Sequence, residues 1–168
     1  MSTSFRSFLR HQQISMAITN VVCNGAFAWL LTEGVYLSLW QGKGAIGPDL
    51  LATSLILAYL VALGGAFGLR KKRDSGKTPA LTAPPHPWIA RLPSSTGRLA
   101  LVIAVLGTVI GLLTVGALSL LGLDPFPRDS YIVLKSIYAG LLAMGCNYLV
   151  IFTVLGETAT AAVSAPAQ

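Results

Sequence analysis

Charged side chains are what this chain has least of. Asp, Glu, Lys and Arg supply 11% of its residues, whereas a soluble globular domain carries about 25%. That shortage excludes a folded surface kept wet by charge. Cysteine is nearly as sparse: Cys23 and Cys146 are the two present. Both fall inside apolar runs, without a C-x-x-C or a Cys/His cluster, so no disulfide framework is expected. His11 and His86 flank different apolar runs at no ligand spacing, so neither a metal site nor a cofactor is expected. No nucleophile with its base and no paired acid and base stand out either. The chain therefore reads as non-enzymatic, and an enzyme acting on lipid is the weakest of the readings.

What the chain has instead is long apolar runs, at residues 14–40, 50–69, 99–121 and 131–155. A helix needs about 20 mostly apolar residues to cross ~30 Å of hydrocarbon, and each run is long enough. The expected fold is an all-α membrane protein, a single integral domain over residues 1–168. Its four transmembrane helices should form a bundle of two helical hairpins. Arg6 and Arg10 before the first run, with Ala26-Phe27-Ala28 inside it, imitate a cleavable secretory signal. The run continues through Trp29, Leu30 and Leu31, so it is read as a retained helix.

The connections are short except one. Residues 41–49 make an outer turn in which Pro48 opens the next helix, and residues 122–130 close the second hairpin. Residues 70–98 are basic and carry Pro79, Pro84, Pro85, Pro87 and Pro93, which predicts an irregular connector. Its stretch from Thr82 to Trp88 has the composition of a polyproline ligand, though a stiff connector is the simpler reading. Trp88 suits headgroup depth. The tail, residues 157–168, is expected to be disordered.

The net charge of +6 is unevenly placed. Arg70, Lys71, Lys72, Arg73, Lys77, Arg91 and Arg98 lie in the long connector, and Arg6 and Arg10 precede the first span. The other side holds Lys43 and Arg128, with Lys135 just inside the last span. Excess Lys and Arg in short loops marks the cytoplasmic side, so both termini and the connector are expected there. No aromatic interleaving or reading module accompanies the basic residues, which argues against nucleic acid. The lipid bilayer is the expected partner, with anionic headgroups drawn to Arg70, Lys71, Lys72 and Arg73 at roughly 1 kcal/mol per residue.

Polar residues inside the spans are the candidate site. Asn20 and Asn24 share a helix face, and by ~1.5 Å per residue they sit roughly 9 and 15 Å deep, with Asn147 about 12 Å deep in the last span. Were the first and last spans neighbours, the three amides would meet at one level. They would form either a structural clamp or a small polar pocket for a headgroup, ion or solute. Glu33 and Lys135 lie nearer the outer side, at a depth where a lone charge is costly. Either they pair, near Tyr36 and Tyr138, or each snorkels to the headgroups.

Gly107 and Gly111 form a G-x-x-x-G in the third span, extended by Ala104 and Thr108, and Gly64 and Gly68 repeat the spacing in the second. Such stripes let helices approach closely, within one chain or in a homo-oligomer or a complex with another membrane protein.

The run Asn20-Val-Val-Cys-Asn24-Gly-Ala-Phe-Ala-Trp29-Leu-Leu, with Leu134-Lys135-Ser-Ile-Tyr-Ala-Gly-Leu-Leu, resembles small four-span bacterial membrane proteins of unassigned function. The resemblance implies a bacterial inner-membrane location and no activity. The small multidrug-resistance transporters are a poorer fit, because Glu33 comes late in its span and the proline-rich connector is long. The leading expectation is an accessory or assembly component acting through helix contacts. The alternative is a small oligomeric transporter or channel using Glu33, Lys135 and the three asparagines.

Overall fold

The computed structural model describes residues 3–42, 44–79, 81 and 86–164, with Thr3 and 158–164 as backbone alone. Lys43, residues 82–85 of the expected polyproline stretch and residues 165–168 of the expected tail lie outside the described residues. A chain in hydrocarbon must satisfy its backbone polar groups internally, and the apolar runs do so as helices. These are α1 (Thr3–Leu31), α2 (Ile46–Asp74), α4 (Thr96–Leu120) and α5 (Arg128–Ser164), with one short turn, α3 (Pro87–Ala90). All four long helices have the length and composition to cross a membrane.

Polar side chains in the spans are mostly satisfied within their own helix. Ser54, Thr108, Thr114, Ser136 and Thr153 each donate to the carbonyl four residues back. Such bonds place a hydroxyl in an apolar run without requiring a partner helix.

Helix α1 stops at Leu31, well short of the expected residue 40. Gly34, with φ of +88°, turns the chain in a conformation that favours glycine. The apolar residues beyond serve a different core. Leu37 and Leu39 pack with Ile46, Leu50, Val115, Leu118 and Tyr131 in a cap across one end of the bundle. Strand β1 (Tyr36–Leu37) pairs antiparallel with β2 (Phe126–Pro127), and the Leu39 N–H donates to Asp124 Oδ1 at 3.2 Å. Arg128 covers carbonyls that the end of α1 leaves unpaired, reaching Trp29 O at 2.8 Å and Thr32 O at 2.9 Å.

At the basic end, α2 runs on to Asp74 and so carries Arg70, Lys71, Lys72 and Arg73 as helix. Arg70 and Arg73 turn onto Glu157, at 2.7 and 2.8 Å, while Lys71 and Lys72 stay exposed. That tie holds Glu157 in place, and α5 continues to Ser164 where a disordered tail was expected.

The packing departs from two self-contained hairpins. Helices α2 and α5 form the central pair, α4 lies along α2, and α1 lies along α5. Among the described residues α1 and α2 barely touch, and α4 meets α5 at few positions. Two clefts follow, one between α1 and α2 over α5, the other between α4 and α5 over α2.

Candidate solute site between helices α1 and α2

Two glycine pairs with one spacing behave differently. A Cβ at Gly107 would come within 2.6 Å of Ala58 Cβ and 3.0 Å of Ser54 O, and one at Gly111 within 2.4 Å of Ser54 Oγ. These glycines let α4 close on α2, as the spacing suggests. At Gly64 and Gly68 a Cβ would meet nothing within 4 Å. Among the described residues that second pair therefore packs against no helix, and it lines an opening instead.

The cleft between α1 and α2 carries most of the candidate residues. On α5, Lys135 lines it at one end and Asn147 at the other, and Ala139 and Ala143, spaced by four between them, are buried. At the cap end, Lys135 Nζ donates to both carboxylate oxygens of Asp49, at 2.7 and 2.6 Å. Tyr131 donates its hydroxyl to the same carboxylate. The Lys135 side chain is 4% exposed and that of Asp49 29%, so the carboxylate is the member that faces the opening. Asp49 also lies in the first turn of α2, where the helix dipole favours an anion.

Lys135 thus has a partner other than the expected Glu33. With α1 ending at Leu31, Glu33 lies in the exposed connection to β1. Tyr36 is in β1 and largely exposed, whereas Tyr138 bonds Ser54 at 2.6 Å. Asp49, which the sequence reading assigns to a loop, is in the first turn of α2 and is the partner of Lys135. Its signal was an acidic residue directly after Pro48, at the mouth of an apolar run and at the level of Lys135.

The three amides do not form a clamp. Asn20 donates to Met16 O at 2.9 Å and Asn24 to Asn20 O at 3.0 Å, both within α1. Their helix face fronts a cavity of about 370 Å³ lined also by Cys23, Thr53, Asp49 and Lys135. Asn147 lies farther along the same seam, in a separate chamber of about 200 Å³. Charge and amides therefore meet in one cleft, as two groups rather than a single cluster.

The cleft between α4 and α5 has another character. Its cavity, about 570 Å³, is lined by Ile103, Leu106, Ile110, Leu141 and Leu149, with Trp88 among them. This wall is suited to hydrocarbon and offers no charge.

Compared with protein-family models, curated proteins and solved structures, the chain finds no match.

Proposed function

We propose that this multi-pass membrane protein binds a polar or amphipathic solute in the cleft between α1 and α2, as a small transporter or channel does. One observation carries the reading: buried Lys135 and its partly exposed partner Asp49 line a ligand-sized cavity together with Asn20 and Asn24, amid apolar side chains such as Phe27 and Ile56. Ionisable groups at membrane depth mark solute and ion paths more often than they stabilise a bundle, and cavities of about 300–1,000 Å³ are the usual ligand size. The carboxylate offers an acceptor to a cationic group, and the amides offer donors and acceptors beside it. A zwitterionic or cationic amphiphile fits that pairing. The location proposed is a bacterial inner membrane, with both termini cytoplasmic by the bias of basic residues.

Cys23 lines the same cavity and provides the test. In detergent, a panel of zwitterionic and quaternary-ammonium amphiphiles should include members that slow maleimide labelling of Cys23. Replacing Asp49 by Asn should weaken that protection about tenfold or more, the usual worth of a charged hydrogen bond. If no compound protects Cys23, or if Asp49→Asn leaves protection intact, the reading fails.

A second reading, the accessory component, draws on α1 itself. Ile14, Ile18, Val22 and Trp29 are 46%, 59%, 62% and 61% exposed, a face open to lipid or to another protein's helix. Co-purification of one defined membrane partner, lost on Ile18→Asn with Val22→Asn, would favour it.

A further inference from the structure

A second chamber lies at the basic end of the cleft, apart from the Asp49–Lys135 cavity. Three features meet there. Asn147 is 3% exposed, yet its amide nitrogen is sealed from solvent and has no hydrogen-bond partner. An orphaned buried donor is costly, by about 1–3 kcal/mol, and native structures rarely keep one without a purpose. Gly64 and Gly68 border the chamber, and the space beside them is empty where side chains would fill it. Gln12 and Lys72 complete the wall, bringing a second carboxamide and a cation.

The chemistry of that set is specific. A lysine ammonium carries donors and no acceptor, and two carboxamides can turn donors toward one point. No carboxylate lines the chamber, so nothing neutralises Lys72 from within it. The volume, about 200 Å³, is below the usual range for drug-sized ligands and fits a small headgroup. We infer that this chamber binds a phosphate oxyanion, held by Lys72 and the amides of Asn147 and Gln12. The oxyanion belongs either to an anionic lipid headgroup or to free phosphate entering from the basic end. The inference stands independently of the solute reading, because no residue lines both cavities.

The test fills the chamber without touching helix packing. Gly68→Leu projects into open space, and Asn147→Leu removes the orphan donor at nearly constant shape. Delipidated protein in neutral detergent is titrated with sodium phosphate against chloride at matched ionic strength, followed by thermal unfolding. In parallel, native mass spectrometry measures retention of phosphatidylglycerol against uncharged diacylglycerol. Wild type should respond in at least one arm, and each variant should weaken that response tenfold or more while staying folded by size-exclusion chromatography. Response to phosphate alone assigns a free anion; response to phosphatidylglycerol alone assigns a headgroup. Equal responses in wild type and both variants would place binding on the exposed Lys71 and neighbouring charges, overturning the chamber. No response in either arm overturns it as well. Protection of Cys23 reads the other cavity and neither arm uses it, so failure of the solute reading is told apart from failure of this one.

Discussion

Helix α2 presents two faces that the same glycine spacing serves in opposite ways. Along one, Ser54 and Ala58 receive Gly107 and Gly111 of α4, and the backbones close until no Cβ fits between them. Along the other, Asp49, Thr53, Gly64, Gly68 and Lys72 front a cleft that α1 does not fill. A G-x-x-x-G thus specifies a smooth strip, and what lies opposite decides whether the strip is an interface or a wall.

The comparison breaks most sharply at Asp49. Replacing it by Ala strands Lys135, a 4%-exposed cation, without its counter-charge, which costs about 3 kcal/mol. Unfolding in mixed micelles should show that loss directly. Exchanging both members for apolar residues, Asp49→Leu with Lys135→Met, in a Tyr131→Phe background that leaves no orphaned hydroxyl, should recover most of it, because a well-packed apolar pair replaces a buried ion pair at little net cost. If the double variant remains as unstable as Asp49→Ala, the pair is not the source of the loss, and the cleft owes its shape to other contacts.

The glycines come next. Gly107→Ala should destabilise by about 2 kcal/mol, since the Ala58 Cβ and the Ser54 carbonyl in its way are fixed to α2, and overpacking of that kind costs about 1–3 kcal/mol. Gly68→Ala, in open space, should instead stabilise by about 0.5–1 kcal/mol through helix propensity alone. Opposite signs from one substitution at one spacing would establish the difference between the two faces. Equal losses would mean that Gly68 packs against something in the membrane, such as a second copy of the chain.

How much of this was legible before the structure depends on the range of the physics involved. The helices were legible, because crossing hydrocarbon demands a run of apolar residues whatever their partners. Gly107 and Gly111 were also legible, since a small-residue stripe is a local pattern. The end of α1 was not. Leu37 and Leu39 are as apolar as any spanning residue, and only the cap they share with Ile46 and Tyr131 shows that they belong to another core. Nor was the partner of Lys135. Its need for one followed from depth alone, but Glu33 and Asp49 are both acidic and near the same ends of their apolar runs as Lys135. The choice was made by α5 packing against α2, and by α1 ending early enough to leave Glu33 in a connection.

The smallest effect concerns the asparagines, and it tests whether the cleft is open at mid-depth. An amide that bridged helices would contribute around 0.6 kcal/mol on average and up to about 2. Asn24 bonds the carbonyl of Asn20 in its own helix, so its removal breaks no bridge. Alanine is also the better helix former by a few tenths of a kcal/mol, which offsets part of the lost bond. Asn24→Ala should therefore unfold within about 0.5 kcal/mol of wild type, an amount set by local terms only. A loss near 2 kcal/mol would require the amide to reach across to α2 or α5. The cleft would then be a closed seam at that level, with its two cavities sealed from each other.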